Sequence, residues 1–287
     1  MNRTLIAVSG LVALSAIALG AQQLTLTRTL TANSTETYKV DTTSDMTVAV
    51  QSASLPLNLK TAMTVQVKTN DVDSTKGTGN VEVTTTVDKV DAGDGLLAQL
   101  LTGKAAKPIV QKGTVDKMGR FTLDSPADAD KLATAISGAQ NATISTLLVA
   151  LPDHPVKVGD TWDITVPKGQ FTGTTDQKLT AKLTGDKQVD GHDAWVISVT
   201  GDLKIEFDSD NVPKDDPAAA PLLKTHIVVK GDSDMTGEAL VDKATGQTLS
   251  NDSTAKVKIV LAAPDAGMTG TGEGSATCKL KVEPAGS

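Results

Sequence analysis

The chain has 287 residues, a formal net charge of −7 and 39% hydrophobic content. An acidic balance without basic runs excludes nucleic acid and anionic membrane surfaces as electrostatic partners. A single cysteine, Cys278, excludes an intrachain disulfide, and only six aromatic side chains leave the core to Val, Leu, Ile, Ala and Met.

The first segment has the pattern of a secretory signal over residues 1–20. Arg3 supplies the positive n-region, Leu5 to Leu19 an apolar h-region, and Ala18-Leu19-Gly20 small residues at a cleavage site. The apolar run is short for a membrane span of about 20 residues. The expectation is therefore an exported protein, periplasmic or extracellular, with no span left after cleavage. Ala21-Gln22-Gln23 stands where a lipidation cysteine would be needed.

After residue 21 the dominant signal has a period of two. Leu24, Leu26 and Leu30 alternate with polar residues, as do Met46/Val48/Val50, Met63/Val65/Val67 and Val81/Val83/Thr85/Val87. Alternation of this kind buries one face of a strand and wets the other, the habit of antiparallel sheets. Leu96, Leu97, Leu100 and Leu101 break the pattern with one face of a short helix over 94–106. Gly113–Leu123 then reads as a hairpin turning at Asp116–Gly119.

Ser125-Pro126 opens a second helix with Leu132, Ala135 and Ile136 on its apolar side. A third places Ile144, Leu147, Leu148 and Leu151 at i, i+3, i+4 and i+7 and ends at Pro152. A link with His154 and Pro155 follows. A turn at Gly159-Asp160 launches Trp162, which is expected to anchor the core.

Strands then resume. Leu179/Ala181/Leu183 alternate, Asp190-Gly191 is a two-residue hairpin signal, and Trp195, Ile197, Val199, Leu203, Ile205 and Phe207 keep one parity. Asp208–Pro221 is an acidic, Pro-rich loop. Gly237–Leu249 is a further hairpin, and Ala255, Val257, Ile259 and Leu261 a further strand. Asp265–Ser275 reads as a flexible glycine-rich linker into a last strand at 277–282.

Val-Asp-Lys followed by Gly occurs in both the 113–125 and 237–252 hairpins, a weak internal repeat. It divides the mature chain into an N-terminal β-rich half with helices, 21–151, and a C-terminal β-rich half, 152–287, within one continuous domain. The fold class expected is mainly β (α+β): a curved antiparallel sheet or half-barrel, with a few helices on one face and two similar halves.

Val115-Asp116-Lys117-Met118-Gly119-Arg120-Phe121, then Leu151-Pro152-Asp153-His154-Pro155-Val156-Lys157-Val158-Gly159-Asp160-Thr161-Trp162, resemble an uncharacterised bacterial family of exported proteins and lipoproteins, a domain of unknown function with a PVKVGDTW-type motif. That resemblance implies no activity and no catalytic residues. More loosely, the strand plan is similar in architecture to half-barrel carriers of lipids and lipoproteins, and architecture does not fix function.

No nucleophile–base motif stands out around His154, His192 and His226, so no catalytic residue is assigned and the chain is not expected to be an enzyme. No zinc spacing and no cofactor motif occurs. Acidic loops at Asp208/Asp210/Asp215/Asp216 and Asp232/Asp234/Glu238 are candidates for calcium, but neither has EF-hand spacing and solvated turns are the preferred reading. The apolar helical residues Leu96, Leu97, Leu100, Leu132, Ile136, Ile144 and Leu148 are the candidate ligand-binding set, lining a greasy pocket against the sheet. Pro152, Pro155, Gly159, Asp160 and Trp162 are the structural motif. The leading expectation is a non-catalytic envelope protein that binds a lipid, another apolar ligand or an envelope protein. The alternatives are a filled structural or interaction module and, least favoured, a hydrolase.

Overall fold

The computed structural model describes residues 23–92, 108–124, 144–168, 175–211 and 226–283. The chain is mainly β. Eleven strands form one antiparallel sheet: β1 (Ser34–Val50), β2 (Ala53–Asp73), β3 (Thr78–Asp91), β4 (Ile109–Asp116), β5 (Phe121–Leu123), β6 (Thr161–Val166), β7 (Gln177–Val189), β8 (His192–Asp208), β9 (Val228–Asp242), β10 (Thr248–Ala263) and β11 (Met268–Val282). Their spatial order is β5-β4-β3-β2-β1-β11-β10-β9-β8-β7-β6. The chain meanders from the sheet's middle to one edge at β5, resumes at the opposite edge with β6, and meanders back; residues 144–160 are the described part of the crossover between those edges. The first and last strands close the middle, with Val40 opposite Leu280.

Alternation places strand after strand as the sequence reading expects. Val65 and Val67 of β2, Val81 and Val83 of β3, and Leu179, Ala181 and Leu183 of β7 are buried, with solvated neighbours between them. Asp190 and Gly191 join β7 to β8 in a two-residue turn with φ of 49° and 84°, as that dipeptide requires.

Two buried clusters lie on the inner face. One holds Tyr38, Val40, Val65, Val67, Val81, Val83, Val115 and Leu280; the other holds Trp162, Ile164, Leu179, Leu183, Ile197, Val199, Ala239 and Val241. The crossover segment ties them together. Ile144, Leu147 and Leu148 enter the first cluster, and Val149, Leu151 and Val156 the second. Burying each such side chain contributes on the order of 1.5–3 kcal/mol.

Four expectations are corrected. The helix expected to end at Pro152 ends at 147, and the described residues show one turn of it, over 144–147. Tertiary hydrogen bonds replace the helical ones beyond it: Leu151 N donates to Met118 O at 2.7 Å, Trp162 Nε1 to Ala150 O at 2.8 Å, and Asn251 Nδ2 to Leu147 O at 3.0 Å.

The alternating Leu24–Leu30 segment is not a strand of the sheet. It is an extended strap across the inner face, with one bridge to Val156. Arg28 N donates to Lys117 O and Thr29 N to Thr245 O, both at 2.7 Å, so the strap joins the turns of the two Val-Asp-Lys hairpins.

The third correction concerns Asp265–Ser275, read as a flexible linker. After a short 3-10 turn at Pro264–Ala266, it forms half of β11 in the middle of the sheet. Its glycines are there for close approach. A Cβ on Gly272 would meet Ile259 Cγ1 at 2.7 Å.

Lastly, helices on one face are not a feature of the described residues, which contain only that one helical turn and two short 3-10 turns. The helices expected over 94–106 and 125–138 lie outside those residues.

Candidate functional site

The expected ligand set is divided by the structure. Leu96, Leu97, Leu100, Leu132 and Ile136 lie outside the described residues. Ile144 and Leu148 are buried in the first cluster, and Leu148 also borders the cleft between the two ends of the sheet. Two other features of the inner surface are open.

The first is an apolar face at one end of the sheet. The central strands β2, β1, β11, β10, β9 and β8 are 15 to 21 residues long, whereas the edge strands β5 and β6 have 3 and 6. The central strands therefore run on past the buried clusters. Cross-strand register sets Leu57 opposite Met46, Met46 opposite Gly274, and Gly274 opposite Val257. The next row sets Leu55, Val48, Gly272 and Ile259 side by side, and Ile259 faces Gly231, which faces Ile205. Leu203 and Phe207 continue this face along β8. Met46, Leu57, Val257, Ile259, Leu261, Ile205 and Phe207 are each partly exposed, and Leu55 is 48% exposed. Of these positions only Leu203 packs against a buried cluster. Glycines at 270, 272 and 274 lie in the middle of the face, where the side chains of Val50, Val48, Ile259 and Met46 lean over them and make its surface apolar.

The second is a cleft of about 380 Å³ between the two ends of the sheet. Phe121 of β5 and Trp162, Asp163, Ile164 and Thr165 of β6 line it, together with Leu148 and residues 150–154 of the crossover. Strands at opposite ends of an eleven-strand order meet there, so the sheet curls almost into a barrel and stays open along one seam. The sequence motif builds one wall. Gly159 holds a φ of 100° and donates from N to Leu183 O at 2.7 Å. Asp160 Oδ2 accepts from Lys157 N at 3.1 Å. This turn starts β6 in register, and Trp162 fixes it to the crossover through its indole N–H. Pro152 is buried at the cleft and Pro155 is exposed.

The titratable groups serve other ends. Arg28, buried in the strap, pairs with Glu36, whose carboxylate also accepts the Tyr38 hydroxyl; the guanidinium lies 5.9 Å from the Phe121 ring centre. Burial works against the Arg28 charge, but Tyr38 and Glu36 outweigh it and raise its pKa. Burial raises the Tyr38 phenol well above its usual range. Alternation alone marks this group: Arg28 occupies the same parity as Leu24, Leu26 and Leu30.

His154 pairs with Asp153, His192 with Asp242, and His226 with Asp208. Among the described residues none of these imidazoles is hydrogen-bonded to a hydroxyl or thiol. Burial opposes the Asp242 charge, yet hydrogen bonds from His192, Thr245 and Ala244 prevail and hold its carboxyl below the usual range. The Cys278 thiol is pushed up to about 11 by burial, then by Asp252 and Asp41.

Asp208 and Asp210, expected in an acidic loop, come together with His226, at 2.9 and 3.6 Å from its Nε2. This trio is partly exposed, and its His226 is hydrogen-bonded to Asp208; Asp215 and Asp216 lie outside the described residues. Asp232, Asp234 and Glu238 alternate along the solvated face of β9. Asp232 meets Lys204, and Glu238 meets Lys187 at 2.9 Å, so these acids lie on a strand and not in the loop or solvated turn expected of them.

No family model and no curated protein matches the chain, so the Pro155–Trp162 motif is not assigned to a family by them. Among solved structures it is similar to a DUF1329 family protein from Desulfovibrio piger, at 10% identity over 89% of each chain with a TM-score of 0.16. A likeness at that TM-score carries no argument about fold or function.

Proposed function

We propose that this chain is an exported, non-catalytic protein of the bacterial envelope that binds an elongated apolar ligand, such as an acyl chain, on the inner face of its projecting central strands. The observation that carries the reading is the row of partly exposed Leu57, Met46, Val257, Ile259, Ile205 and Phe207 around the glycines of β11. Contiguous exposed apolar surface of this kind marks ligand or partner sites. Each buried methylene contributes about 0.8 kcal/mol, so ten give on the order of 8 kcal/mol before the cost of association is deducted. The N-terminal apolar stretch, Leu5 to Leu19, supports export. Leu96, Leu97, Leu100, Leu132 and Ile136 are carried in the proposed ligand set from the sequence alone.

Native mass spectrometry and solvent extraction of protein purified from a bacterial envelope test this reading. A co-purifying lipid or fatty acid supports it. Protein that carries no lipid, and takes none up from fatty-acid micelles or vesicles, would sink it. A second reading, an interaction module of the envelope, is favoured by one observation, the strand edges along the seam that have no backbone partner among the described residues.

A further inference from the structure

We propose that the seam between β5 and β6 is a strand-addition site, which takes up an extended peptide segment of a partner polypeptide antiparallel to both edges. The site is separate from the apolar face, so either proposal can fail alone.

Strand direction gives the first reason. All neighbours in the sheet are antiparallel. With an odd number of strands, the two edge strands point the same way. They cannot close the curl by the pairing used elsewhere. One added strand, antiparallel to each edge, makes the number even and extends the same ladder across the seam.

The second reason is where the backbone groups point. Paired residues of an antiparallel ladder alternate between exchanging hydrogen bonds and facing away. Asp116 N donates to Arg120 O and Asp124 N to Lys112 O, which fixes the bonded positions of the outer hairpin at 120, 122 and 124. Phe121 and Leu123 therefore turn their N–H and C=O toward the seam. On the other wall, Leu183 N donates to Asp160 O, so 160, 162, 164 and 166 bond to β7. Thr161, Asp163 and Thr165 then turn their backbone groups outward. Among the described residues, none of these five meets a backbone partner on that side. Free edges of this type are templates for strand pairing.

The lining sets the chemistry of the occupant. Apolar residues at alternate positions would lie beside Phe121, Leu148, Trp162 and Ile164, which line the cleft. The positions between them would lie among Arg120, Thr122, Thr161, Asp163 and Thr165, which calls for polar side chains. The class is thus an amphipathic extended peptide, recognised through its backbone and its alternation.

The test uses a fluorescein-labelled, amidated nine-residue peptide alternating threonine and valine, read by anisotropy against the whole chain. The same peptide N-methylated at alternate amides is the control. Asp163→Pro removes an N–H that faces the seam and not β7, a position where an edge strand tolerates proline. Asp163→Ala keeps that N–H. The proposal expects wild type and Asp163→Ala to bind alike, and at least tenfold weaker binding both for Asp163→Pro and for the methylated peptide. Should Asp163→Pro fail to fold, the methylated peptide on wild type decides alone. No binding to wild type overturns the proposal. So does binding indifferent to methylation, or binding displaced by fatty acid but not by excess unlabelled peptide, since those outcomes describe a greasy groove.

Discussion

Gly159 and Gly246 separate backbone strain from steric closure in one experiment. Both have positive φ, 100° and 69°. A Cβ on Gly159 meets nothing within 4 Å, so Gly159→Ala costs only the strained backbone, about 1–2 kcal/mol. Gly159→Val adds the stiffness of a branched side chain. A Cβ on Gly246 would lie 2.3 Å from Thr27 O and 2.7 Å from Arg28 Cα, both backbone atoms of the strap. The strap must move, which strains the Thr29–Thr245 hydrogen bond and loosens buried Leu26. That adds roughly 2–4 kcal/mol, from a hydrogen bond worth about 1 and part of a buried Leu. Urea unfolding of the two alanine variants should give a small loss for Gly159→Ala and a loss at least twice as large for Gly246→Ala. Equal losses would refute the account of the strap, and an unchanged thermal midpoint for Gly159→Val would refute the account of the turn.

Further outcomes follow from single groups. Trp162→Phe should destabilise by about 2–3 kcal/mol in urea unfolding, because it leaves the buried Ala150 carbonyl without its donor. Asp242→Ala should destabilise at pH 7. The Asp242 carboxyl is held below its ordinary value of about 3.9, so its contribution is present above that value and is lost as pH falls through the lowered folded pKa. Thermal midpoints of wild type and variant should therefore converge only in strong acid. A thiol pushed up to about 11 should make Cys278 label slowly with Ellman's reagent at pH 8 and fast only on unfolding; fast labelling of the folded protein would contradict its burial.

Much of this architecture is legible in alternation and turn chemistry. Leu179-Ala181-Leu183, Asp190-Gly191 and the two Val-Asp-Lys hairpins need only local rules. The exceptions are places where distant chain supplies the deciding contact. Glycines at 270, 272 and 274 argue locally for flexibility, yet the side chains of β1 and β10 close over them and fix a strand. The 144–151 segment has helical spacing, but Met118, Trp162 and Asn251 take or supply its hydrogen bonds after one turn. Arg28 shares the parity of Leu24, Leu26 and Leu30, but periodicity counts apolar residues and does not supply the partners that allow its burial, Glu36 and Tyr38 of β1. The projecting apolar face depends on the pairing of the first strand with the last, which no local pattern encodes. Trp162 keeps the role its sequence position suggested, a core anchor, and gains a second as one wall of the seam.

The apolar face is tested most directly by placing a charge on it. Ile259 is partly exposed, packs over Gly272 and Gly231, and belongs to none of the buried clusters; a lysine stem keeps part of that contact, so Ile259→Lys should stay folded with a thermal midpoint only a few degrees below wild type. Titration with a fluorescent long-chain fatty acid should then show saturable binding to wild type and at least tenfold weaker binding to Ile259→Lys. Equal binding by the two proteins, or none by wild type, would contradict the account.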